Sequence, residues 1–354
     1  MSEINHLLEE AVKKNASDLF ITVGKPPTIK IDGQLEIMGQ QTLSPEDTHR
    51  LVAQLFEKKD HYDEFVEEGE KDFSISLPGV GRFRVAAYTQ RGTKAAAIRI
   101  LRFHQPDPEE LGIPETVLDF HKRTKGLILV TGPTGSGKST TLSSIINLIN
   151  QNRACHILTL EDPIEYLHSH KKSLVDQREI GMDTRDYARA LRSAMRQAPD
   201  VILVGEMRDY ETISIALTAA ETGHLVLSTV HTVGAAKTID RIIDVFPANQ
   251  QQQVRVQLST VLHAVVSQQL IPSGQDGRVA AFEIMIVNAA IRNMIRDGKI
   301  PQIDAVIQTG RSQGMVGMDM SLANLVKTGK ITREDALMYC VNPEVINRYL
   351  LSKT

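Results

Sequence analysis

A glycine-rich segment in the middle of the chain carries the residues with the clearest chemical meaning. A short apolar run, Leu127–Val130, leads into a glycine turn, and apolar residues at helical spacing follow. Gly132, Gly137, Lys138 and Ser139 fit the pattern G-x-x-x-x-G-K-[ST] of the phosphate-binding P-loop. The segment therefore predicts a strand, a phosphate-binding loop and a helix, in that order.

The spacing of this loop follows from the chemistry of phosphate binding. Glycines let backbone N–H groups converge on an anion without obstruction by a Cβ atom, and the new helix adds the positive end of its dipole. Lys138 is expected to reach the β- and γ-phosphates, and the Ser139 hydroxyl is expected to bind Mg²⁺. The predicted nucleotide-binding loop comprises Gly132, Pro133, Thr134, Gly135, Ser136, Gly137, Lys138, Ser139 and Thr140.

Acidic residues follow two further apolar runs. One run is followed by Glu161, Asp162 and Glu165, and the other by Glu206, in the form of a Walker B strand with glutamate in place of the more usual aspartate. Hydrolysis requires an acid to hold Mg²⁺ and a base to orient water. Because ligands of open α/β sheets bind beyond the carboxyl ends of the strands, we expect these acids near the phosphates.

Two histidines, His224 and His231, flank a third apolar run. Since that strand is also expected to point at the nucleotide, His224 is assigned to nucleotide binding and His231 to catalysis. Neither histidine has metal-ligand spacing with a cysteine. The two cysteines, Cys155 and Cys340, form no C-x-x-C pair, so neither a zinc ribbon nor a disulfide framework is predicted.

The elements that position these residues fall into two predicted domains. Residues 1–103 show helical and alternating strand patterns of a small α+β domain, and a proline-containing polar stretch, 104–115, is the predicted linker. Residues 116–354 form the core, where strands alternate with helices as in a parallel sheet covered by helices. Within it, Val254 to Val265 is predicted as helix, and the segment from about 288 onwards as mostly helical.

The composition restricts the class of protein. The chain has 354 residues, 42% of them hydrophobic, and a net charge of −3, so bulk attraction to DNA or to an anionic membrane is not predicted. Its N-terminus lacks the basic and apolar regions of a signal peptide, and no apolar run approaches the ~20 residues that span a bilayer. A soluble cytoplasmic protein is expected.

The motifs together resemble those of a known group. They read GPTGSGKST at 132–140, EDPIEY at 161–166, DVILVGEMRD at 200–209 and TGHLVLSTVHT at 222–232. Their kind and order are similar to the Walker A, Asp-box, Walker B and His-box motifs of the secretion-superfamily ATPases. Residues 290–299, AIRNMIRDGK, resemble the signature of type IV pilus retraction ATPases, the PilT family, which usually has Leu and Glu in place of Met294 and Asp297.

The resemblance implies a fold and a set of roles. The fold would be a RecA-like P-loop NTPase core with a smaller PAS-like α+β N-terminal domain, with ATP and Mg²⁺ bound between the domains of a homo-hexamer. Glu165 would be the general base, Glu206 would position Mg²⁺ through water, and His231 would sense the γ-phosphate or a neighbouring subunit.

The implied function is a motor. ATP hydrolysis would rotate the domains and move an inner-membrane platform protein, drawing pilin subunits out of a type IV pilus. The chain would lie in the cytoplasm at the inner membrane, reach the membrane only through this partner, and bind no nucleic acid.

Three alternatives remain open from the sequence. The first is a pilus or pseudopilus assembly or type II secretion ATPase, against which the absence of a four-cysteine insert and the 290–299 motif argue. The second is a non-hydrolysing nucleotide-binding switch, against which the paired acids argue. The third, a DNA-translocating ring, predicts basic pore loops with aromatic residues, whereas this chain has no tryptophan and a net negative charge.

The N-terminal domain carries a further candidate site. If Arg91-Gly92 is the turn between two predicted strands, counting outward places Arg84 opposite Arg99, with Arg82 on the same face as Arg84. Like charges opposed in this way destabilise a hairpin by a few tenths to about 1 kcal/mol, so an anion between them is predicted. The resemblance agrees, since related ATPases present two arginines from this domain to the γ-phosphate. The alternative is that these arginines face water or pair with Glu70 or Asp72.

Overall fold

The chain divides into two compact units. The structure, a computed structural model, describes residues 2–31, 33–101, 107–273 and 277–352. One unit ends at His104 and the other begins at Gln105. The first residues of the predicted linker, 104–106, lie outside the described ranges. In the part of the chain that is described, no helix is both long and apolar enough to cross a membrane.

The N-terminal unit is an antiparallel sheet with helices. Over its described residues the sheet has six strands in the order β3-β2-β1-β6-β5-β4. The strands are β1 (Asp18–Ile21), β2 (Thr28–Ile31), β3 (Gln34–Ile37), β4 (Glu70–Leu77), β5 (Gly81–Gln90) and β6 (Thr93–Leu101). The helices are α1 (Glu3–Lys13), α2 (Pro45–Ala53) and α3 (Lys59–Glu68). This arrangement is the predicted α+β class.

The helices of this unit follow the sequence patterns to different degrees. Apolar residues at helical spacing from Ile4 to Val12 predict an amphipathic N-terminal helix, which α1 confirms. Ser44 starts α2 through a capping box with Asp47. The spacing of Leu51, Leu55 and Phe56 predicts that all three lie on this helix. It ends at Ala53, so Leu55 and Phe56 follow it instead. Helix α3 was not predicted because its sequence is mostly charged and buries a single residue, Phe65, in the core.

The C-terminal unit is built on a mostly parallel sheet. Its strands are β7 (Gly126–Thr131), β8 (His156–Glu161), β9 (Leu174–Glu179), β10 (Val201–Val204), β11 (Leu225–Val230), β12 (Leu262–Pro272) and β13 (Arg278–Ile286). Their order in the described chain is β13-β12-β7-β11-β10-β8-β9, and only the β12–β13 pair is antiparallel. Strands β7, β10 and β11 are buried along their whole length, which explains their continuous apolar runs. The predicted parallel α/β core is confirmed.

Helices surround this sheet and form the C-terminal part of the unit. They are α4 (Glu115–Leu118), α5 (Lys138–Asn152), α6 (Tyr187–Ala194), α7 (Tyr210–Glu221), α8 (Ala235–Asp244), α9 (Gln251–Val261), α10 (Ala289–Arg296), α11 (Ile303–Thr309), α12 (Met318–Lys327), α13 (Arg333–Tyr339) and α14 (Pro343–Leu351). Short 3₁₀ turns lie at Asp119–Lys122, Ile300–Gln302 and Arg311–Gln313. The predicted helical character of the last segment is confirmed.

One predicted helix was too long. The apolar residues up to Val261 lie on α9, but Val265 belongs to β12, which pairs with β7. The sequence could not separate the two elements, because a buried apolar run fits a helix as well as a strand when both faces are covered. Residues 273–277, which read Ser-Gly-Gln-Asp-Gly, predict a hairpin turn followed by a strand. The turn falls partly on residues outside the described ranges, and β13 follows it as expected.

Candidate nucleotide site

The glycine-rich loop links β7 to α5, as predicted. Gly132, Gly135 and Gly137 have φ angles of 142°, 78° and 88°, in the region that favours glycine. A Cβ atom at Gly132 would lie 2.2 Å from the carbonyl oxygen of Gln268, so no side chain fits there. The loop is therefore fixed both by backbone conformation and by its close contact with β12.

Lys138 lies buried at the start of α5, with 8% of its surface exposed. Its ammonium donates hydrogen bonds to the carbonyl oxygens of Gly132 (2.9 Å) and Pro133 (3.0 Å). Burial lowers the pKa of Lys138, and the carboxylates of Glu206 and Glu165 act in the opposite direction. The fold thus brings this lysine and both predicted acids into one electrostatic environment.

Two hydroxyl groups of the loop suit an anionic ligand and its cation. Ser139 is exposed at the N-terminal turn of α5. The Ser136 hydroxyl is buried and has no hydrogen-bond partner among the described residues. An unpaired buried hydroxyl is costly, so a phosphate oxygen would be a suitable partner for it. The donors of this loop fit a nucleotide phosphate group.

The two glutamates of the EDPIEY segment differ in setting. Glu165, the predicted base, is exposed. Glu161 lies at the end of β8 and accepts hydrogen bonds from Thr159 (2.6 Å) and Gln177 (3.2 Å). Burial raises the pKa of Glu161 to about 7, against the effect of these hydrogen bonds. The raised pKa of Glu161 could not be predicted from the sequence, because it depends on the packing of β9 beside β8.

Glu206 and His231 meet as predicted at the carboxyl ends of β10 and β11. The His231 Nε2 atom lies 3.1 Å from the Glu206 carboxylate, which also pairs with Arg208 at 2.7 Å. A cavity of about 540 Å³ lies beside them and is lined by Thr134 of the loop, His231 and Arg241 among others. The lining of this cavity thus combines a residue of the P-loop with His231 and with the cations Arg208 and Arg241.

His224 is not brought to this site. It precedes β11, at the strand's opposite end from His231, and its Nδ1 atom lies 2.9 Å from the carbonyl oxygen of Ala219. Six extended residues separate the two histidines by about 20 Å along the sheet. The assignment of His224 to nucleotide binding within its own chain is therefore corrected: a strand points only one of its ends at the carboxyl edge.

Comparison with known proteins identifies the family. The family model described as type II/IV secretion system protein matches residues 1–333. The type IV pilus retraction ATPase PilT of Pseudomonas aeruginosa is 49% identical over 342 residues, which cover 97% of this chain and 99% of that protein. A twitching motility protein of Neisseria gonorrhoeae is 49% identical over 320 residues, covering 90% of this chain and 85% of that protein.

A solved structure agrees with these relatives. The crystal structure of the pilus retraction motor PilT with bound ADP matches with a TM-score of 0.91 at 48% identity, covering 98% of this chain and 99% of that one. The chain belongs to the type II/IV secretion system protein family. Its P-loop is accordingly that of a nucleotide-using ATPase of this family.

Contacts that the motifs did not reveal hold the family's P-loop in place. The Thr141 hydroxyl donates to the Gln268 side-chain carbonyl (2.7 Å), and Thr140 bonds to Tyr166 of the EDPIEY segment (2.9 Å). The sequence did not point to Gln268, because the predicted helix covered the start of its strand, up to Val265, and no motif includes it. Strand order and register, which place β12 beside β7, were the missing information.

The predicted arginine pair lies on the β5–β6 hairpin of the N-terminal unit. The register pairs Gln90 with Thr93 and Arg84 with Arg99, as the count from the Arg91-Gly92 turn predicted. Arg84 lies 3.8 Å from Asp72, and Arg99 lies 3.1 Å from Asp18. The pairing of Arg84 with Asp72 is the alternative that the sequence left open.

Arg82 shares this hairpin and donates a hydrogen bond to Ser76 at 3.1 Å. Of the three arginines proposed for the hairpin, each therefore has a polar partner within its own unit. Their predicted role toward a phosphate stays a prediction.

The retraction-type motif lies on α10. Ile291 and Ile295 are buried and Met294 is half-buried, as the helical spacing predicted. Arg292 and Arg296 are exposed on the other face. The spacing predicts one helix over residues 290–299 with Ala290 on its apolar side. Instead, the helix ends at Arg296, and Ala290 is exposed.

Proposed function

We propose that this chain is the motor ATPase of type IV pilus retraction. The observation that carries the proposal is the match to a pilus retraction ATPase along nearly the whole of both chains. An assembly or type II secretion ATPase is the competing function, with the same chemistry and the opposite mechanical output. The α10 motif favours retraction over this alternative.

The residues at the carboxyl edge of the core sheet have proposed roles in hydrolysis. Lys138 and the backbone N–H groups of the loop bind the ATP phosphates, and Glu165 accepts the proton of the attacking water. Ser139 and Glu206 would hold Mg²⁺, which would neutralise phosphate charge when bound. His231 responds to the state of the nucleotide through its contact with Glu206.

The proposal extends to assembly and partner. We propose a homo-hexamer that acts on an inner-membrane platform protein from the cytoplasmic side, and that contacts the membrane only through this partner. The basic surface of α10 supports a role in transmitting work, because Arg292 and Arg296 are exposed on a helix whose other face is anchored in the core.

Imaging of pili tests the direction of the work. Cells of the source strain that lack this chain should carry abundant fibres that never retract. Cells that carry Glu165→Gln at the native locus should show the same phenotype, because the motor is present without turnover. A strain without fibres would assign the chain to assembly, and a strain with normally retracting fibres would refute a motor role.

A further inference from the structure

Strand β12 presents two adjacent side chains that bond to the starts of two different helices. The Ser267 hydroxyl accepts a hydrogen bond from the backbone N–H of Gly234 (2.9 Å), just before α8. The Gln268 side-chain carbonyl accepts one from Thr141 (2.7 Å), in the first turns of α5. Successive strand residues point to opposite faces of a sheet, so one strand reaches both helices from its two sides.

On the α8 side, side chains of the β12–β13 hairpin accept hydrogen bonds from two successive backbone N–H groups. Glu283 of β13 lies directly opposite Ser267 in the strand register, and its carboxylate accepts from the N–H of Ala235 at 2.6 Å. Helix α8 has Gly234 at its N-cap and no side-chain cap of its own. Because His231 lies three residues before this point, the Ser267–Glu283 pair fixes the turn that carries it.

On the α5 side, Gln268 lies directly beneath the P-loop. Its backbone oxygen would be 2.2 Å from a Cβ atom at Gly132, and its amide nitrogen would be 2.8 Å from one at Gly137. Its side chain is 4% exposed, so it has no room to move away. A displacement of this glutamine would therefore shift the two glycines whose conformation forms the phosphate cradle.

We propose that Gln268 and Ser267 are positioning residues for two separate parts of the ATPase cycle. Gln268 shapes the P-loop and so sets nucleotide affinity. Ser267, together with Glu283, holds the His231 turn and so sets the rate of turnover. This inference rests on the ATPase activity of the proposed function. A merely structural role predicts instead that both residues affect only the stability of the sheet.

The Gln268 half is tested by nucleotide affinity in the full-length chain. Equilibrium titration with ADP should show binding weakened about 10-fold in both Gln268→Met and Thr141→Val, the loss expected when one buried hydrogen bond is removed. The double variant should be no weaker than either single one, because both remove the same contact. Thr141→Ser, which keeps the hydroxyl, should bind ADP as the parental chain does.

The Ser267 half is tested by a split between kcat and affinity. Ser267→Ala should lower kcat about 10-fold, while the Kd for ADP stays within about 2-fold of the parental value. Gln269→Ala is the matched control, since Gln269 lies two residues further along β12, on the same face as Ser267, and its side chain makes no hydrogen bond in the described structure. It should leave both quantities unchanged. Thermal unfolding midpoints, measured for every variant, separate positioning from loss of fold.

Three results would overturn the proposal. Parental ADP affinity in both Gln268→Met and Thr141→Val would show that the glutamine does not shape the loop. Parental kcat in Ser267→Ala, or an equal loss of ADP affinity there, would remove the division between the two residues. If the parental chain binds ADP but does not hydrolyse ATP, the proposed function fails, and the Ser267 half falls with it. The Gln268 half is then decided by ADP affinity alone.

Discussion

The P-loop and the β5–β6 hairpin both present cationic side chains, but in opposite settings. Lys138 is 8% exposed and is held by two backbone carbonyls. The side chains of Arg84 and Arg99 are 47% and 67% exposed, and each has a carboxylate partner. A buried cation has already lost its hydration shell. An exposed arginine that is paired with a carboxylate must give up that partner before it can bind a phosphate, and an exposed ion pair contributes little free energy. Position in the fold, more than charge, therefore decides how much one cation contributes to phosphate binding.

The largest effect is expected at the buried member of this comparison. Lys138→Ala should weaken ATP binding about 100-fold and abolish measurable turnover, because it removes charge-assisted hydrogen bonds to phosphate worth about 1.5–3 kcal/mol. Lys125→Ala, at an exposed lysine just before β7, is the matched control and should bind ATP normally. Equal affinity for ATP in the two variants would show that the buried lysine contributes no more to ATP binding than the exposed one.

The next largest effect is expected at the acids near Lys138. Glu165→Gln should leave ATP binding intact while kcat falls about 10²-fold, as expected for loss of a positioned base. Single-turnover hydrolysis and nucleotide titration measure the two quantities separately. The same measurements on Glu161→Gln test the other acid of the segment: a large loss there, with parental turnover in Glu165→Gln, would transfer the role of base to Glu161.

A smaller effect is expected at the exposed arginines of the β5–β6 hairpin. Arg84→Ala and Arg99→Ala should each lower kcat about 10-fold while the oligomer still assembles, since each removes one exposed charge from the predicted phosphate contact. Arg50→Ala is a suitable control, because Arg50 is also exposed in this unit and also pairs with carboxylates. Normal turnover in both hairpin variants would leave Arg84 and Arg99 with a purely structural role.

The burial of Glu161 should also make the free energy of unfolding depend on pH. The pKa of Glu161 is raised by burial to about 7, above its ordinary value of 4.5, so the folded chain holds an extra proton between these pH values. The free energy of unfolding should therefore fall by about 1–3 kcal/mol as pH rises from 4.5 to 7, and change no further above that. Denaturant unfolding of the parental chain and of Glu161→Gln checks this, since the variant should lack that component of the slope.

The smallest effect on turnover is expected at the exposed cations of α10. Arg292→Ala combined with Arg296→Ala should hydrolyse ATP at the parental rate, because both side chains are exposed on a surface helix. The same double variant should abolish fibre retraction in cells. Arg333→Ala with Arg348→Ala, on α13 and α14, controls for loss of two exposed arginines. Retraction at the normal rate in the α10 variant would show that its basic face is only solvated surface.

The sequence predicted what depends on local pattern. Residues close together in the chain predicted the P-loop and the apolar strands of the core. Counting outward from the Arg91-Gly92 turn predicted that Arg84 lies opposite Arg99. The sequence failed where a residue depends on a distant strand. The role of Gln268 and the raised pKa of Glu161 can be recognised only when the strand order of the sheet is known. The start of β12 is an apolar run whose pattern fits a helix as well as a strand. The prediction for His224 was wrong because this residue precedes β11, and the first residue of a parallel strand lies at the edge of the sheet opposite the P-loop.

Strand β11 has a mechanical consequence. All six of its residues are buried; it pairs with the parallel strand β7 along its whole length and with β10 from Leu225 to Ser228. Such a strand resists bending and stretching, because any change in its length would break hydrogen bonds on two flanks together. It behaves as a stiff rod about 20 Å long, with His231 at one end and His224 at the other. A load applied at the His224 edge would therefore be felt beside the P-loop as an axial push or pull.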